Sequence, residues 1–378
     1  MDARHLDALT HALAAASPRR RLVALLAALP FLAGLRVQAG DDVHQDGRRK
    51  RRKRRHRRRK NPGSRKHRCT RKPKATICAR FCGTVRNRQT CGKKVVCGPA
   101  CAEGQVCQGG ACGVACGSSF CPAASEICVD GACQACDVTC DAADHVCNGA
   151  ALQTAIAAGG TVLVCAGRYS GTFAVAENAD VTLLGAGMGD DPATATILDA
   201  KGAGSTLVVE ALAKAALRDM RLTGASGGSG NAGLQAEADT LIDVRRCAFV
   251  GNGTMESPAG GLRLPGSSTI SDSLISENIA NAGGAVHMAA NASLIVRNTT
   301  VSDNSAAEAG GFNVNAGGSL TLEDGCLVTR NATTVTGFGG GIAAGNGTTI
   351  TISADSHVID NTPDDCFILG TLNGVCGA

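Results

Sequence analysis

The sequence CAFVGN at residues 247–252 is the first of five related blocks, and this repetition decides the fold. The other blocks are SLISEN at 273–278, TTVSDN at 299–304, CLVTRN at 326–331 and SHVIDN at 356–361. Their final asparagines lie 26, 26, 27 and 30 residues apart, and a large apolar residue precedes each asparagine by three positions. Such a repeat is typical of a solenoid, in which each coil buries its apolar face only against neighbouring coils.

Alternating runs precede the blocks, as in TLIDV at 240–244 and TITIS at 349–353, and a period of two predicts β-strands. Parallel coils stack at about 4.8 Å, so equivalent residues form columns along the axis. A column of asparagines can hydrogen-bond along the stack, as in cross-β assemblies. We therefore predict a structural ladder made of Asn252, Asn278, Asn304, Asn331 and Asn361.

Four stretches of the sequence resemble motifs of two known protein families. FVGN at 249–252 and GGAV at 283–286 resemble the FxxN and GGA repeats of polymorphic outer membrane proteins. TVLVCAGRYSGTF at 161–173 and VTLLGAG at 181–187 are similar to the opening coils of pectate-lyase-like proteins. The resemblance implies an all-β fold, a single-stranded right-handed parallel β-helix, and says little about activity. We expect roughly seven or eight coils, with a short N-terminal capping helix at 149–158 covering the first sheet edge.

The chain divides into four predicted segments, the first being an export signal at 1–39. In this segment an arginine triplet at 19–21 precedes an apolar run at 22–35, and VQA at 37–39 offers small residues for cleavage. PRRRLV at 18–23 is similar to a twin-arginine signal. The run is shorter than the roughly 20 apolar residues of a membrane span, so an uncleaved anchor or a buried helix is the alternative. We expect an extracellular or cell-surface protein.

Residues 40–68 form a predicted disordered basic linker, because like charges at high density repel one another. Its function is either to bind an anionic envelope polymer or polysaccharide or to act as a solvated spacer. A third hypothesis is a secreted protein that binds nucleic acid or another polyanion through this run. Recognition of a specific nucleic acid is not expected, because the run has no aromatic residue for base stacking. The predicted polyanion-binding residues are Arg48, Arg49, Lys50, Arg51, Arg52, Lys53, Arg54, Arg55, Arg57, Arg58, Arg59 and Lys60.

Residues 69–148 carry 15 cysteines and few apolar residues, which predicts a small disulfide-rich module in an exported chain. The short spacings of Cys78 to Cys82 and of Cys133 to Cys136 make zinc binding the alternative. Cys165 brings the number of cysteines to an even value, consistent with a bond from the module to the first coil. Residues 149–378 form the β-helix, and a disulfide between Cys366 and Cys376 is expected to close its last coil.

Two further columns test the register. Cys247 and Cys326 share a column of small residues, but three coil steps separate them by about 14 Å, beyond the roughly 7 Å between Cα atoms that a disulfide allows. We predict two buried free thiols that act as packing residues. The residues before the ladder form an exposed charge column in which Arg330 is expected between two carboxylates, with Glu277, Asp303 and Asp360 as the other members.

Composition argues against catalysis. The β-helix is acidic, with 10 Lys and Arg against 21 Asp and Glu from Ala150 onward. Sugar-binding grooves usually stack rings on aromatic residues, and the chain is only 2% aromatic. Four arginines are candidate lyase bases, but no acidic cluster is expected to recur coil by coil opposite them; they are Arg245, Arg246, Arg263 and Arg297. His287 and His357 are expected to be surface residues.

We therefore predict no catalytic residue, no cofactor and no resident metal, with calcium at Glu277 and Asp303 as an alternative. The predicted function is that of an exported, monomeric, adhesin-like or structural protein with a protein partner along one β-helix face. The alternative is a carbohydrate-active enzyme, a polysaccharide lyase or hydrolase of the pectate-lyase-like class. A groove with convergent acids and a base on one sheet would favour the enzyme.

Overall fold

The computed structural model describes residues 72–78, 84–86, 90–91, 93–97, 106–108, 111–116, 119–122, 125–140, 144–226, 228, 230–335 and 338–377. All of them belong to one compact unit, His67–Ala378. The predicted export signal and the basic run at 48–60 lie outside the described residues. The described chain forms an all-β parallel solenoid of about nine turns preceded by a disulfide-rich region, which confirms the predicted fold class.

The disulfide-rich region consists of small antiparallel pairs and one short helix. Its elements are α1 (Lys74–Cys78), β1 (Thr84–Val85), β2 (Val95–Val96), β3 (Val106–Gln108), β4 (Ala111–Cys116), β5 (Ser119–Pro122), β6 (Glu126–Val129) and β7 (Ala132–Ala135). Strand β1 pairs with β2, the strands β3, β4 and β5 form one sheet, and β6 and β7 form a hairpin.

The solenoid has three parallel faces, which we call A, B and C. Face A contains β11 (Phe173–Val175), β14 (Leu207–Val209), β16 (Leu234–Ala236), β18 (Leu262–Leu264), β22 (Val286–Met288), β26 (Phe312–Val314), β30 (Ile342–Ala344) and β33 (Cys366–Ile368). Face B contains β9 (Gly160–Leu163), β12 (Asp180–Leu184), the first parts of β15 (Lys214–Thr223) and β17 (Leu241–Val250), β19 (Ser267–Ser271), β23 (Ser293–Arg297), β27 (Ser319–Glu323), β31 (Thr349–Ile352) and β34 (Thr371–Asn373).

Face C contains β8 (Val146–Asn148), β10 (Gly167–Ser170), β13 (Thr196–Asp199), the second parts of β15 and β17, β20 (Leu274–Ser276), β24 (Thr300–Ser302), β28 (Leu327–Thr329) and β32 (His357–Ile359). A small three-stranded sheet follows face C and contains β21 (Ile279–Ala280), β25 (Ser305–Ala306) and β29 (Ala332–Thr333). The solenoid has about nine coils, slightly more than the expected seven or eight.

Stacked apolar columns form the core, because alternate residues of each strand point inward. The column of face C is made of the large apolar residues of the repeat blocks, all of which are almost fully buried and in register: Phe249, Ile275, Val301, Val328 and Val358. At the corner after face C, Glu277, Asp303, Arg330 and Asp360 adopt positive φ angles of 58°, 60°, 55° and 60°. The polypeptide turns there in the left-handed region, so each following asparagine points into the stack.

The predicted asparagine positions form a buried hydrogen-bonded column. In the middle of it, the Oδ1 of Asn304 accepts from the backbone N–H and the Nδ2 of Asn278, at 3.0 and 2.9 Å. The Nδ2 of Asn304 donates to the Oδ1 of Asn331 at 2.8 Å. At the end of the column, Oδ1 of Asp365 accepts from both nitrogens of Asn361 and so replaces the next asparagine.

The small-residue column is also hydrogen-bonded rather than merely packed. The hydroxyl of Ser273 accepts the backbone N–H of Cys247 at 3.1 Å and donates to the Ser271 carbonyl at 2.6 Å. Thr299 repeats this arrangement one coil later. Cys247 and Cys326 are both buried free thiols, as predicted. Burial raises the pKa of the Cys247 thiol to about 12.

Helix α2 (Ala150–Ala158) covers the first edge of face A, which confirms the predicted capping helix. Leu152 and Ile156 are its buried residues. The side-chain amide of Gln153 accepts the N–H of Ala174 at 2.8 Å and donates to its carbonyl at 3.0 Å, as a neighbouring strand would. An exposed sheet edge would otherwise offer unpaired backbone groups to other chains.

Disulfides hold the cysteine-rich region together and attach it to the solenoid. The pairs include Cys78–Cys97, Cys116–Cys128, Cys121–Cys133, Cys136–Cys165 and Cys140–Cys147. The bond from Cys136 to Cys165 reaches the first coil. Strand β8 lies within the predicted module yet pairs with β10 of face C, so the solenoid sheet begins before residue 149.

Candidate functional site

The sequence-predicted site residues fall into three places. The polyanion-binding residues at 48–60 lie outside the described part of the chain. The ladder asparagines are buried inside the solenoid, and Cys366 and Cys376 form a disulfide in its last coil. Arg330 forms a two-pronged ion pair with Asp303, at 2.8 and 2.7 Å, whereas no hydrogen bond joins its side chain to Asp360. Arg330 therefore lies between the two carboxylates in the stack, as expected, and its side chain is hydrogen-bonded to that of Asp303.

Charged side chains gather at the corner between faces B and C, which we call the charged corner. The turns there carry residues 26 or 27 positions apart, each with a positive φ: Asp219, Arg246, Asp272, Asn298 and Asp324. Beside them, at the ends of the face B strands, lie Arg218, Arg245, Ser271 and Arg297. Two clefts of about 430 and 630 Å³ open at this corner and share Arg218 and Arg245.

Acidic residues recur in the turns directly beside the arginines at this corner, whereas the expectation was that no acidic cluster recurs opposite them. These acids follow the strands of face B, and the asparagine blocks lie on face C. The regular spacing from Asp219 to Asp324 was the available signal. Arg263 lies elsewhere, on face A, with its guanidinium 3.7 Å from Glu237.

The charges of the corner neutralise one another. Arg246 forms two hydrogen bonds of 2.6 Å with Asp219, and this contact raises the pKa of the Arg246 guanidinium. Arg218 contacts Asp243 at 2.6 Å, while Arg297 contacts Glu323 at 2.6 Å. A catalytic base must be able to release or take up a proton near the working pH. A guanidinium held in this way is poorly suited to that task.

A second candidate site lies on face A near the last coils, which we call the face A pocket. It has a volume of about 120 Å³ and is lined on one side by the rings of Phe338 and Phe367 and by Leu369. The ring centroids are 5.9 Å apart and tilted by 55°. Phe367 is 37% exposed and Leu369 is 55% exposed, so the apolar wall is open to solvent.

The polar side of the pocket comes from the neighbouring coil. Asn313 points outward from β26, yet it is only 5% exposed, and its Nδ2 donates to the Oε2 of Glu308 at 2.9 Å. Asn315 also lines the pocket, and its Nδ2 lies 3.4 Å from Nε2 of His287. Two amides and a carboxylate therefore face an apolar wall, the combination that small-ligand sites use for orientation and contact area.

His287 is not the surface residue that was expected. It lies in β22 on the outer side of face A and is half-buried, and burial together with the nearby Arg263 lowers the pKa of its imidazole. Its Nδ1 is buried without a hydrogen-bond partner among the described residues. His357 is exposed, as expected. The expectation for both histidines came from their lack of a recurring partner in the sequence, which does not determine burial.

The aromatic wall was also missed. Phe338 precedes the last glycine pair and Phe367 lies one coil later, so nothing in the linear sequence joins them. Their signal was a phenylalanine at an outward position of β33, next to a strand of small residues. A low content of aromatic residues in the whole chain does not exclude a local aromatic site.

Of the cysteines for which zinc binding was the alternative, Cys78, Cys133 and Cys136 form disulfides, and Cys82 lies outside the described residues. The sulfur atoms of Cys116, Cys121 and Cys133 lie within 4.8 Å of one another, but each belongs to a disulfide, and a bonded sulfur is not a thiolate ligand. Neither helix of the described chain has the length and apolar character needed to cross a bilayer. No protein-family model matches the chain, and no match is found among curated proteins or solved structures.

Proposed function

We propose that this chain is an exported extracellular β-solenoid that binds a partner at a cell surface and catalyses no reaction. The disulfide set supports the location, since disulfides persist in oxidising compartments outside the cytosol. The bond from Cys136 to Cys165 fixes the cysteine-rich region to the solenoid. In this proposal that region is a rigid stalk, the solenoid presents its faces, and the basic run at 48–60 attaches the protein to an anionic envelope polymer.

One observation carries the non-catalytic part of the proposal, namely the mutual pairing of charges along the solenoid. Arg246 with Asp219 and Arg330 with Asp303 are both two-pronged pairs between adjacent coils. Such pairs orient the turns and neutralise the surface locally. A charged group that reacts with a substrate would first have to leave its partner.

Attachment through the basic run is tested by binding of the full chain to an immobilised polyuronate and to an immobilised phosphate polymer. Twelve basic residues at 48–60 should make binding fall about a thousandfold between roughly 50 and 200 mM salt, because neutralised anions release counterions. Deleting 48–60 should abolish this binding. Binding that is insensitive to salt or survives the deletion would refute this attachment.

A polysaccharide lyase or hydrolase is the second candidate function, and the charged corner is the observation that favours it. Acids and arginines converge there on clefts of one sheet edge, which is the arrangement expected of the enzyme. Substituting Arg245 or Asp272 by alanine would then remove activity. In a binding protein the same substitutions change only local stability, by about 1 kcal/mol or less for exposed ion pairs.

A further inference from the structure

We infer that the face A pocket binds one uncharged sugar ring of a surface polysaccharide. This inference rests on the proposed function and names the binding site and the ligand class. The tilted rings of Phe338 and Phe367, with Leu369 beside them, present an apolar wall that is open to solvent. The C–H face of a sugar ring is the part of an otherwise hydrophilic ligand that such a wall accommodates.

The polar side of the pocket matches sugar hydroxyl groups. A hydroxyl both donates and accepts hydrogen bonds, and Glu308, Asn313 and Asn315 together offer carboxylate oxygens, amide oxygens and amide N–H groups. Asn313 is 5% exposed and is held by Glu308 at 2.9 Å. The amide is thus positioned before a ligand arrives, which reduces the ordering cost of binding.

The negative charge at this end of the solenoid disfavours an acidic ligand. From Asn331 to the last residue there is no Lys or Arg, whereas this stretch contains Asp355, Asp360, Asp364 and Asp365. Glu308 adds a carboxylate within the pocket itself. A uronate or a sulfated sugar would bring a like charge to this end of the solenoid. The pocket and the basic run at 48–60 are therefore expected to take ligands of different charge.

Size limits the pocket to one ring. The pocket has a volume of about 120 Å³. Sites that enclose drug-sized ligands are usually about 300 Å³ or larger. The pocket therefore holds part of one sugar, and a single site should bind in the millimolar range.

The test uses the full chain and ligand-observed NMR with methyl glycosides of glucose, galactose, mannose and N-acetylglucosamine, and with galacturonate. At about 10 mM ligand we expect saturation transfer from the protein to at least one neutral glycoside. Phe367→Ala should weaken that binding about three- to tenfold, the usual effect of losing one aromatic contact. Leu241→Ala is the matched control, since it removes an exposed apolar side chain from face B.

Phe367 is partly exposed, so its substitution should leave the circular dichroism spectrum and melting temperature nearly unchanged. Asn315→Ala provides a second variant from the polar side of the pocket and should also weaken binding. The inference is overturned if no neutral glycoside binds, if Phe367→Ala binds as well as the wild type, or if galacturonate binds more tightly in a Phe367-dependent manner. If no neutral glycoside binds while the salt-sensitive attachment through residues 48–60 is retained, the proposed function stands and only the pocket is rejected.

Discussion

The replacement Asn304→Ala tests the asparagine ladder at its centre. Asn304 is 1% exposed; its Oδ1 accepts two hydrogen bonds from Asn278, and the two N–H groups of its Nδ2 face three acceptors, in Ile275, Ser302 and Asn331. Removing the amide leaves the buried N–H of Asn278 without its acceptor, because that N–H is bonded to the Asn304 side chain. Leaving such a group unpaired costs about 1–3 kcal/mol.

The other bonds add to this loss. Those to the Nδ2 of Asn278, the Ile275 carbonyl and the Oδ1 of Asn331 are each worth about 1 kcal/mol net. The expected loss in the free energy of unfolding is therefore about 5 kcal/mol, measured by urea denaturation followed by circular dichroism. Asn281→Ala, which removes an exposed asparagine side chain, is the control and should change stability by less than about 0.5 kcal/mol.

A loss below about 2 kcal/mol for Asn304→Ala would refute the reasoning, because it would mean that water or a shifted backbone satisfies the freed groups. Unfolding of a solenoid can also proceed in parts, since each coil contacts only its neighbours. A second transition confined to the variant would place the loss in the coils around residue 304, as the ladder predicts.

Further expectations concern other buried groups. Ser268 is 6% exposed and its hydroxyl has no hydrogen-bond partner within the described part of the chain, so Ser268→Ala should raise the free energy of unfolding by about 1 kcal/mol; a lower midpoint in urea would contradict this. Cys247 and Cys326 should react with maleimide at neutral pH only after unfolding, since burial raises both thiol pKa values; two rapidly labelled thiols in the native protein would contradict this. The lowered pKa of His287 means that the unfolded chain binds its proton first, so stability should fall as pH drops below about 6.5. His287→Gln should flatten that fall, and an unchanged melting profile between pH 7.5 and 5 would contradict it.

The sequence predicted the columns well because a column is a repeat in the chain. Asn304, Val301 and Thr299 follow one another within a block, so their burial and stacking could be read from the period. The two free thiols were predicted by the same argument, since the number of coils between Cys247 and Cys326 sets the distance between them. The hydrogen bonds of the small-residue column were not predicted, because the size of Ser273 indicates that it packs inside the column but does not indicate what its hydroxyl contacts.

What the sequence did not predict depends on the neighbours of a single residue. Asp365 ends the ladder only because the polypeptide folds back beside Asn361, and no repeat marks it. Phe338 and Phe367 meet because two adjacent coils place them together on face A. Val146–Asn148 looked like part of the disulfide module because its neighbours are cysteines, although it pairs as a strand of the solenoid. Contacts between residues at non-equivalent positions of adjacent coils leave no periodic signal.

The most direct test of the central claim is release of sugar from a panel of neutral and acidic polysaccharides by the full chain, with and without calcium. For a binding protein we expect no reducing or unsaturated sugar above background. Neutral glycosides should bind, and anionic polymers should bind in a salt-sensitive manner. The contrary result is sustained product release that Arg245→Ala or Asp272→Ala abolishes without unfolding the protein. That result would make the charged corner an active site and the protein a polysaccharide-degrading enzyme.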